Sequence, residues 1–100
     1  MQIRFKTRKL EKQYANHKEA EKAYGRDVAR KFIDRVNIIK ATKDIETLQT
    51  LPVLRCHPLI GNRKGQWSIN LSGFYRLIFT LEGEALEIAC LEEVSKHYDQ

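Results

Sequence analysis

The stretch from residue 57 to residue 79 reads HPLIGNRKGQWSINLSGFYRLIF and combines one histidine and three cations with no carboxylate. Side chains of these types can cleave RNA without a metal. A base takes the proton of the 2′-hydroxyl, cations stabilise the pentavalent phosphorane, and an acid protonates the leaving 5′-oxygen. Histidine suits both proton transfers near neutral pH. The candidate catalytic residues are His57, Lys64, Arg76, His97 and Tyr98.

A second set of residues has side chains that bind RNA without reacting. Arginine contacts phosphates, amides and hydroxyls bond to sugars or bases, and an aromatic ring offers a stacking surface. Composition alone does not establish such a site, because two histidines and a few cations also occur on many inert proteins. Trp67 is assigned to the core. The candidate RNA-binding residues are Arg55, Arg63, Gln66, Ser68 and Phe74.

The charge of the chain indicates an acidic partner. The formal net charge is +5 and the pI is near 9.4. Residues 1–50 hold 13 cations against 7 carboxylates, whereas residues 51–100 hold 5 against 6. No carboxylate occurs between Thr47 and Leu81, so a cationic patch persists in the half that is nearly neutral. This distribution favours nucleic acid or an acidic protein as the partner.

Size and composition restrict the class of protein. One hundred residues, 42% of them hydrophobic, predict one globular domain over residues 1–100. Cys56 and Cys90 match no zinc spacing and are interpreted as reduced thiols, so we expect neither a metal nor a cofactor. No apolar run approaches the roughly 18 residues that span a bilayer, and the basic start lacks the apolar segment of a secretory signal. We expect a cytoplasmic protein without membrane contacts.

Hydrophobic periodicity in the first half predicts a strand followed by helices. The alternation in residues 2–5 is typical of a short strand. A helix is predicted over residues 8–24, with Asn16 as a candidate break, and a second over residues 26–41. Asp44 caps one further turn. A solvated outer helix face is predicted for the cations at positions 18, 22, 26, 30, 31 and 35.

The period changes to the alternation of strands in the second half. Residues 67–71 and residues 75–79 predict an antiparallel pair. We expect a three-residue loop of Leu71, Ser72 and Gly73 with Gly73 in the left-handed conformation, because this loop keeps polar and apolar residues on separate faces. The resulting register places Ile69 opposite Tyr75.

The same register places Arg76 on the polar face of the sheet, opposite Ser68. A turn around Gly83, a strand over residues 86–91 and a polar tail from Glu92 complete the chain. The predicted fold is α+β, with an N-terminal strand and two helices packed on one face of a small, mainly antiparallel sheet. The helix layer would leave the cationic residues on the opposite face.

These residues resemble the HigB-type toxins, the plasmid-maintenance killer branch of the RelE/ParE superfamily. The resemblance lies in HPL at 57–59, RKGQWSI at 63–69 and YRL at 75–77, with Gly61 and Gly73 between them. The helical half matches in pattern, so the resemblance covers nearly the whole chain. It implies a RelE-like fold and a metal-independent endoribonuclease that enters the ribosomal A site, cleaves translated mRNA and arrests translation.

The resemblance also assigns residues and partners. His57, Lys64 and Arg76 take the positions of the motif histidine, the loop lysine and the strand arginine. Related toxins often follow the last strand with Tyr and then His, whereas this chain has His97 before Tyr98, which leaves the general base and acid unassigned. The implied partners are a cognate HigA-like helix-turn-helix antitoxin, the ribosome and mRNA, and operator DNA only through the antitoxin.

Two other functions stay open. The superfamily also holds toxins that poison DNA gyrase on the same fold, and such a toxin would use its helices as a protein-binding surface. It would cause DNA damage signalling and leave mRNA intact. A detoxified member would serve as a co-repressor with its antitoxin, and its expression without the antitoxin would be harmless.

Overall fold

The computed structural model describes residues 1–96, which form five strands and four helices. The strands are β1 Gln2–Phe5, β2 His57–Pro58, β3 Gln66–Asn70, β4 Tyr75–Glu82 and β5 Ile88–Lys96. The helices are α1 Arg8–Ala15, α2 His17–Tyr24, α3 Arg26–Ala41 and α4 Ile45–Gln49. Two short 3-10 turns, Pro52–Leu54 and Gly61–Arg63, flank β2. In this part of the chain no helix is long and apolar enough to cross a membrane.

The five strands form one sheet in the order β1-β5-β4-β3-β2. β1 runs parallel to β5, and all other neighbours are antiparallel. The helices cover one face of this sheet, because the apolar stripe of α3 faces the apolar side chains of the central strands. The expected α+β architecture is therefore confirmed. The core contains Phe32, Val36, Ile39, Leu48, Ile69, Leu77, Phe79 and Leu91, all of them fully buried.

Asn16 divides the predicted N-terminal helix into α1 and α2. Its backbone is extended, its N–H donates to the Lys12 carbonyl at 2.9 Å, and its side chain accepts the Lys18 N–H at 3.1 Å. One residue thus ends the first helix and caps the second. Residues 8–41 thus form three helices instead of two. The further helical turn expected after Asp44 is α4, and the Asp44 carboxylate accepts the Thr47 N–H at 2.8 Å.

Arg35 does not belong to a solvated helix face. It is only 7% exposed, and its Nε donates to the Asn70 carbonyl of β3 at 3.2 Å. Its Nη1 donates to Asp34 at 2.8 Å. The expectation was wrong because i, i+4 charge spacing on a helix does not distinguish an outer cation from one that reaches beneath the sheet edge.

The register of β3 and β4 differs from the expected one by two residues. Ile69 is paired with Leu77 instead of Tyr75, and the Leu71 N–H donates to the Tyr75 carbonyl at 3.1 Å. Gly73 does adopt the left-handed conformation, with φ of +58°. Because side chains alternate with a period of two, this shift leaves every residue on its predicted face. Trp67 lies on the helix side, stacked on Phe79.

The last strand is longer than expected. Residues from Glu92 to Lys96 continue β5 and pair with β4, and no polar tail begins at Glu92. A register shift next to Ile78 marks a bulge, since Phe79 pairs with Leu91 while Ile78 pairs with Glu93. The alternation of side chains is interrupted at the bulge. Periodicity therefore did not predict that the strand continues beyond it.

Both cysteines are free and buried. Burial raises the pKa of the Cys56 thiol to about 12 and also raises the pKa of the Cys90 thiol. A thiol that stays protonated at neutral pH is a poor nucleophile and a poor metal ligand. Cys56 therefore serves as a small apolar group in the fold, and Cys90 as a buried thiol that donates to Glu92.

Candidate functional site

The sheet face opposite the helices aligns the expected site residues in rows across the strands. His57 of β2 is paired with Ser68 of β3. Ser68 is paired with Ile78 of β4, and Ile78 with Glu93 of β5. Paired residues of neighbouring strands project from the same face, so residues distant in sequence become neighbours. The adjacent row consists of Asn70, Arg76 and Ser95.

A cavity of about 340 Å³ lies between this face and the segment from residue 57 to residue 63. Ser68 is 2% exposed and Ile78 is fully buried, although both lie on the side away from the helices. The face is thus covered at these two positions, and both residues line the cavity. Its lining residues are His57, Pro58, Leu59, Ile60, Asn62, Arg63, Ser68, Arg76 and Ile78.

Arg76 lies in the cavity wall and is held by neutral acceptors. Its Nη1 donates to Asn70 Oδ1 at 2.7 Å, to the Tyr75 carbonyl at 3.1 Å and to the Gly73 carbonyl at 3.3 Å. In the described residues no carboxylate forms an ion pair with this guanidinium. The described neighbours therefore orient the side chain without offsetting its positive charge.

Arg63 is also oriented, but by a carboxylate. Its Nε donates to Gln66 Oε1 at 2.7 Å and its Nη2 to Glu93 Oε2 at 2.8 Å. The ion pair is partly exposed, with a third of the Arg63 side chain and half of the Glu93 side chain in contact with solvent. Glu93 offsets part of the positive charge of Arg63 at the cavity, so Arg76 supplies the stronger field for a phosphate.

His57 stands at the cavity rim and is exposed. Its Nδ1 lies 3.2 Å from the Pro58 carbonyl oxygen. Because a carbonyl only accepts, this hydrogen bond requires the proton on Nδ1, which leaves Nε2 as the nitrogen that can take up a proton. The arrangement fits a role in proton transfer.

Three other expected residues are not among those that line the cavity. Lys64 follows the second 3-10 turn and is exposed. Arg55 is exposed and has a left-handed backbone with φ of +48°. Phe74 is 51% exposed in the β3–β4 loop. His97 and Tyr98 lie outside the described residues, and their place relative to the cavity stays a prediction.

The same sheet face carries paired charges on its β1 side. Arg4 Nη2 lies 2.6 Å from Glu82 Oε2, and Lys6 Nζ lies 2.9 Å from Glu92 Oε1. Burial alone would raise the pKa of the Glu92 carboxyl, but hydrogen bonds from Lys6, Thr80 and Cys90 together hold this pKa below its ordinary value. These two ion pairs lie away from the cavity, whereas Arg76, which has no ion pair within residues 1–96, lies in the cavity wall.

Several residues that build the site were not among the functional candidates expected from the sequence. Asn70 holds Arg76, Glu93 holds Arg63, and Ile60 forms an apolar wall of the cavity while 87% exposed. Asn70 was placed on the correct face by alternation. Glu93 was missed because the predicted strand ended at residue 91. The local sequence pattern gave no signal for Ile60.

The family model for the RelE-like toxin of the type II toxin-antitoxin system HigB matches residues 3–91. No curated protein matches the chain. Among solved structures, a YoeB/ParE toxin from Agrobacterium tumefaciens has a TM-score of 0.64 at 19% identity, covering 98% of this chain and 100% of the other.

Two further solved structures have the same fold. YafQ from E. coli strain BL21(DE3) has a TM-score of 0.61 at 16% identity, with 95% of this chain and 91% of the other covered. The YoeB–YefM complex from Staphylococcus aureus has a TM-score of 0.60 at 14% identity, with 98% of each chain covered. The family model spans most of the residues that build the sheet, the helices and the cavity. The chain belongs to the HigB-like family of RelE-like toxins of type II toxin-antitoxin systems.

Proposed function

We propose that this toxin is a metal-independent endoribonuclease that cleaves mRNA on the ribosome and so arrests translation. The observation that carries the proposal is the cavity that brings Arg76, Arg63 and His57 together from three separate elements. These are the groups that cleavage through a 2′-hydroxyl needs, namely an oriented cation and a proton-transferring imidazole. The family membership supports the same reaction.

In the proposed reaction Arg76 binds the scissile phosphate. A base removes the 2′-hydroxyl proton, the 2′-oxygen attacks phosphorus, and the P–O5′ bond breaks as an acid protonates the 5′-oxygen. The attraction between Arg76 and the phosphate is strongest in the phosphorane, because the negative charge is greatest there. Asn70 already orients the guanidinium before the reaction, so no reorientation is needed. His57 Nε2 serves as one of the two proton-transfer groups, and His97 or Tyr98 as the other. Lys64 adds positive charge beside the cavity.

Dependence on the ribosome follows from the size of the site. A volume of about 340 Å³ is at the lower end of ordinary ligand pockets, so it accommodates a small part of an RNA strand. The remaining candidate RNA contacts, Arg55, Gln66 and Phe74, are not among the residues that line it. Free mRNA would be held weakly, whereas a ribosome presents its mRNA at a defined position and lowers the entropic cost of aligning it.

We further propose that a HigA-like helix-turn-helix antitoxin neutralises the toxin. The family name includes the toxin-antitoxin system, and one solved structure of this fold is the YoeB–YefM complex. The net charge of +5 favours an inhibitor with an acidic surface. Operator DNA would be bound only through this antitoxin.

The test is primer extension on a defined mRNA incubated with the purified toxin, with and without programmed ribosomes. We expect cleavage only on ribosomes, and a loss of about 100-fold or more in the rate for Arg76→Ala, comparable to removal of one oxyanion donor. Arg30→Ala is the matched control, because it removes the same charge from an exposed helical position.

Each result decides between the candidate functions. Cleavage that Arg76→Ala leaves unchanged would refute the site. Intact mRNA in all lanes together with DNA damage signalling on expression would indicate a gyrase-binding toxin. Intact mRNA and harmless expression without an antitoxin would indicate a co-repressor.

A further inference from the structure

A buried arginine connects the helix layer to the cavity. Arg35 of α3 is 7% exposed and donates from Nε to the backbone carbonyl of Asn70 at 3.2 Å. Its Nη1 pairs with Asp34, which is half exposed. Burying a guanidinium is costly unless its donors are satisfied, so its position in the interior needs a specific role.

Asn70 is the residue through which this contact reaches the site. Its backbone carbonyl accepts the bond from Arg35, and its side-chain Oδ1 accepts the bond from Arg76 at 2.7 Å. Asn70 is the last residue of β3, and Arg76 is its cross-strand partner in β4. The two bonds leave one residue in different directions, one toward the helices and one toward the cavity.

The loop that joins the two strands is tied to the same helix. The Ser72 hydroxyl donates to the Asp27 carboxylate in the first turn of α3, and this bond lowers the pKa of Asp27. Arg76 in turn donates to the carbonyl of Gly73 in this loop. The helix thus holds the β3–β4 connection at two points, and Arg76 is held by the connection.

We propose that Arg35 is a positioning residue, which fixes Asn70 and thereby orients the Arg76 guanidinium for the scissile phosphate. The inference rests on the proposed function, since it concerns the geometry of that reaction. Arg35 is not among the residues that line the cavity. Its effect passes through Asn70, and it acts on rate because small misplacements of a group that stabilises a transition state slow the reaction.

The first measurement compares cleavage on programmed ribosomes by Arg35→Met and by Thr42→Val. Methionine fills the space of the arginine stem without donating hydrogen bonds. Thr42 lies at the far end of α3, is similarly buried, and donates from its hydroxyl to the Ile38 carbonyl at 2.6 Å, so its variant also loses one hydrogen bond. We expect kcat to fall roughly 10- to 100-fold in Arg35→Met, with KM for ribosomes within about twofold, and no such fall in Thr42→Val.

Rescue separates positioning from general destabilisation. Arg35→Lys keeps one donor for the Asn70 carbonyl, so kcat should lie between the values for wild type and Arg35→Met. All rates are measured well below the midpoint of thermal unfolding of each variant. Equal loss in Arg35→Lys and Arg35→Met, or equal loss in Thr42→Val, would overturn the proposal.

The second measurement needs no cleavage. Proton–nitrogen NMR spectra report the hydrogen exchange of the Arg76 Nη protons, identified by their absence in Arg76→Lys. We expect this exchange to be several-fold faster in Arg35→Met and unchanged in Thr42→Val, because Arg76 loses its fixed acceptor. Unchanged exchange in Arg35→Met would overturn the proposal. If the wild type cleaves no mRNA, the proposed function fails, and the exchange rates still decide whether Arg35 orients Arg76.

Discussion

Two arginines at the cavity differ in the acceptors that hold them. Arg76 is oriented by an amide and two backbone carbonyls, whereas Arg63 is oriented by an amide and the carboxylate of Glu93. Neutral acceptors fix a guanidinium without cancelling its charge, but a carboxylate competes with an incoming phosphate. At the scale of the residue, Arg76 has no carboxylate partner among residues 1–96, whereas the charge of Arg63 is partly offset by Glu93.

This difference predicts the effect of Glu93→Gln. The variant removes the negative charge beside Arg63 and keeps an amide oxygen that can accept its hydrogen bond. Binding of a short single-stranded RNA should become tighter, by about two- to fivefold at low ionic strength, and the gain should shrink as salt screens the charge. Fluorescence anisotropy at several salt concentrations measures this.

Glu84→Gln is the matched control, since Glu84 is an exposed carboxylate in the β4–β5 turn. A gain of the same size in this variant would mean that only the net charge matters. No gain in Glu93→Gln would contradict a phosphate-binding role for Arg63.

At the scale of elements, the β3–β4 loop determines where Arg76 lies. Gly73 has φ of +58°, and its carbonyl accepts a bond from Arg76. The glycine predicted a three-residue loop, and the structure has one. Gly73 is the second residue of the loop from Ser72 to Phe74, whereas we expected it to be the third residue of a loop from Leu71. This shift of the loop by one residue changes the strand register by two. Alternation distinguishes the two faces and does not distinguish registers that differ by two.

The backbone of Gly73 predicts the effect of Gly73→Ala. A Cβ at this position would meet no atom within 4 Å, so the cost comes from the left-handed conformation alone. We expect the free energy of unfolding to fall by about 1 kcal/mol with the fold retained. Urea denaturation measures this. Gly73→Asn should cost less, because asparagine tolerates this conformation better, and an equal cost for both would contradict the explanation.

At the scale of the whole molecule, one carboxylate joins strands from both ends of the chain. Glu92 of β5 pairs with Lys6, which follows β1, and accepts the Thr80 hydroxyl of β4 at 3.1 Å. Its pKa is lower in the folded protein than its ordinary value. Its ionised form therefore stabilises the fold above the ordinary pKa, and this contribution is lost as the pH falls through the lowered pKa.

The sign of this shift predicts the behaviour of Glu92→Gln. The variant should unfold at a lower temperature than the wild type at pH 7, and the difference in Tm should shrink below about pH 4, as the wild-type carboxylate is protonated. Thermal unfolding between pH 7 and pH 3 measures this. A difference that is constant over this range would show that the ionisation of Glu92 does not contribute.

A substitution in the core between the helices and the sheet should lower stability more than Gly73→Ala does. Phe32 of α3 is fully buried and packs edge-on against Tyr24 at a centroid distance of 6.3 Å. Phe32→Ala should lower the free energy of unfolding by about 3–5 kcal/mol, through lost burial and the cavity left behind. This is a large part of the about 5–15 kcal/mol typical of a domain. Urea denaturation should show less than about 0.5 kcal/mol for the exposed control Arg30→Ala.

Local patterns in the sequence were sufficient for β1, for α3 and for the two faces of the β3–β4 pair. The stripe of α3, the caps at Asn16 and Asp44, and the alternation around Arg76 depend on residues within a few positions of one another. Periodicity and capping are local properties, so a single sequence contains them. Alternation also placed Arg76 on the polar face, whereas His57 entered the candidate site through its residue type and the family resemblance.

The tertiary structure decided the contacts between distant residues. Two of these contacts join positions 30 or more apart, namely Arg63 with Glu93 and Arg35 with Asn70. The cavity at Ile78 depends on the β5 bulge and on the conformation of the loop from residue 57 to residue 63. Such contacts depend on the register of the sheet and on the space between its layers. Neither is a property of any one segment, because each is settled only when all segments pack together.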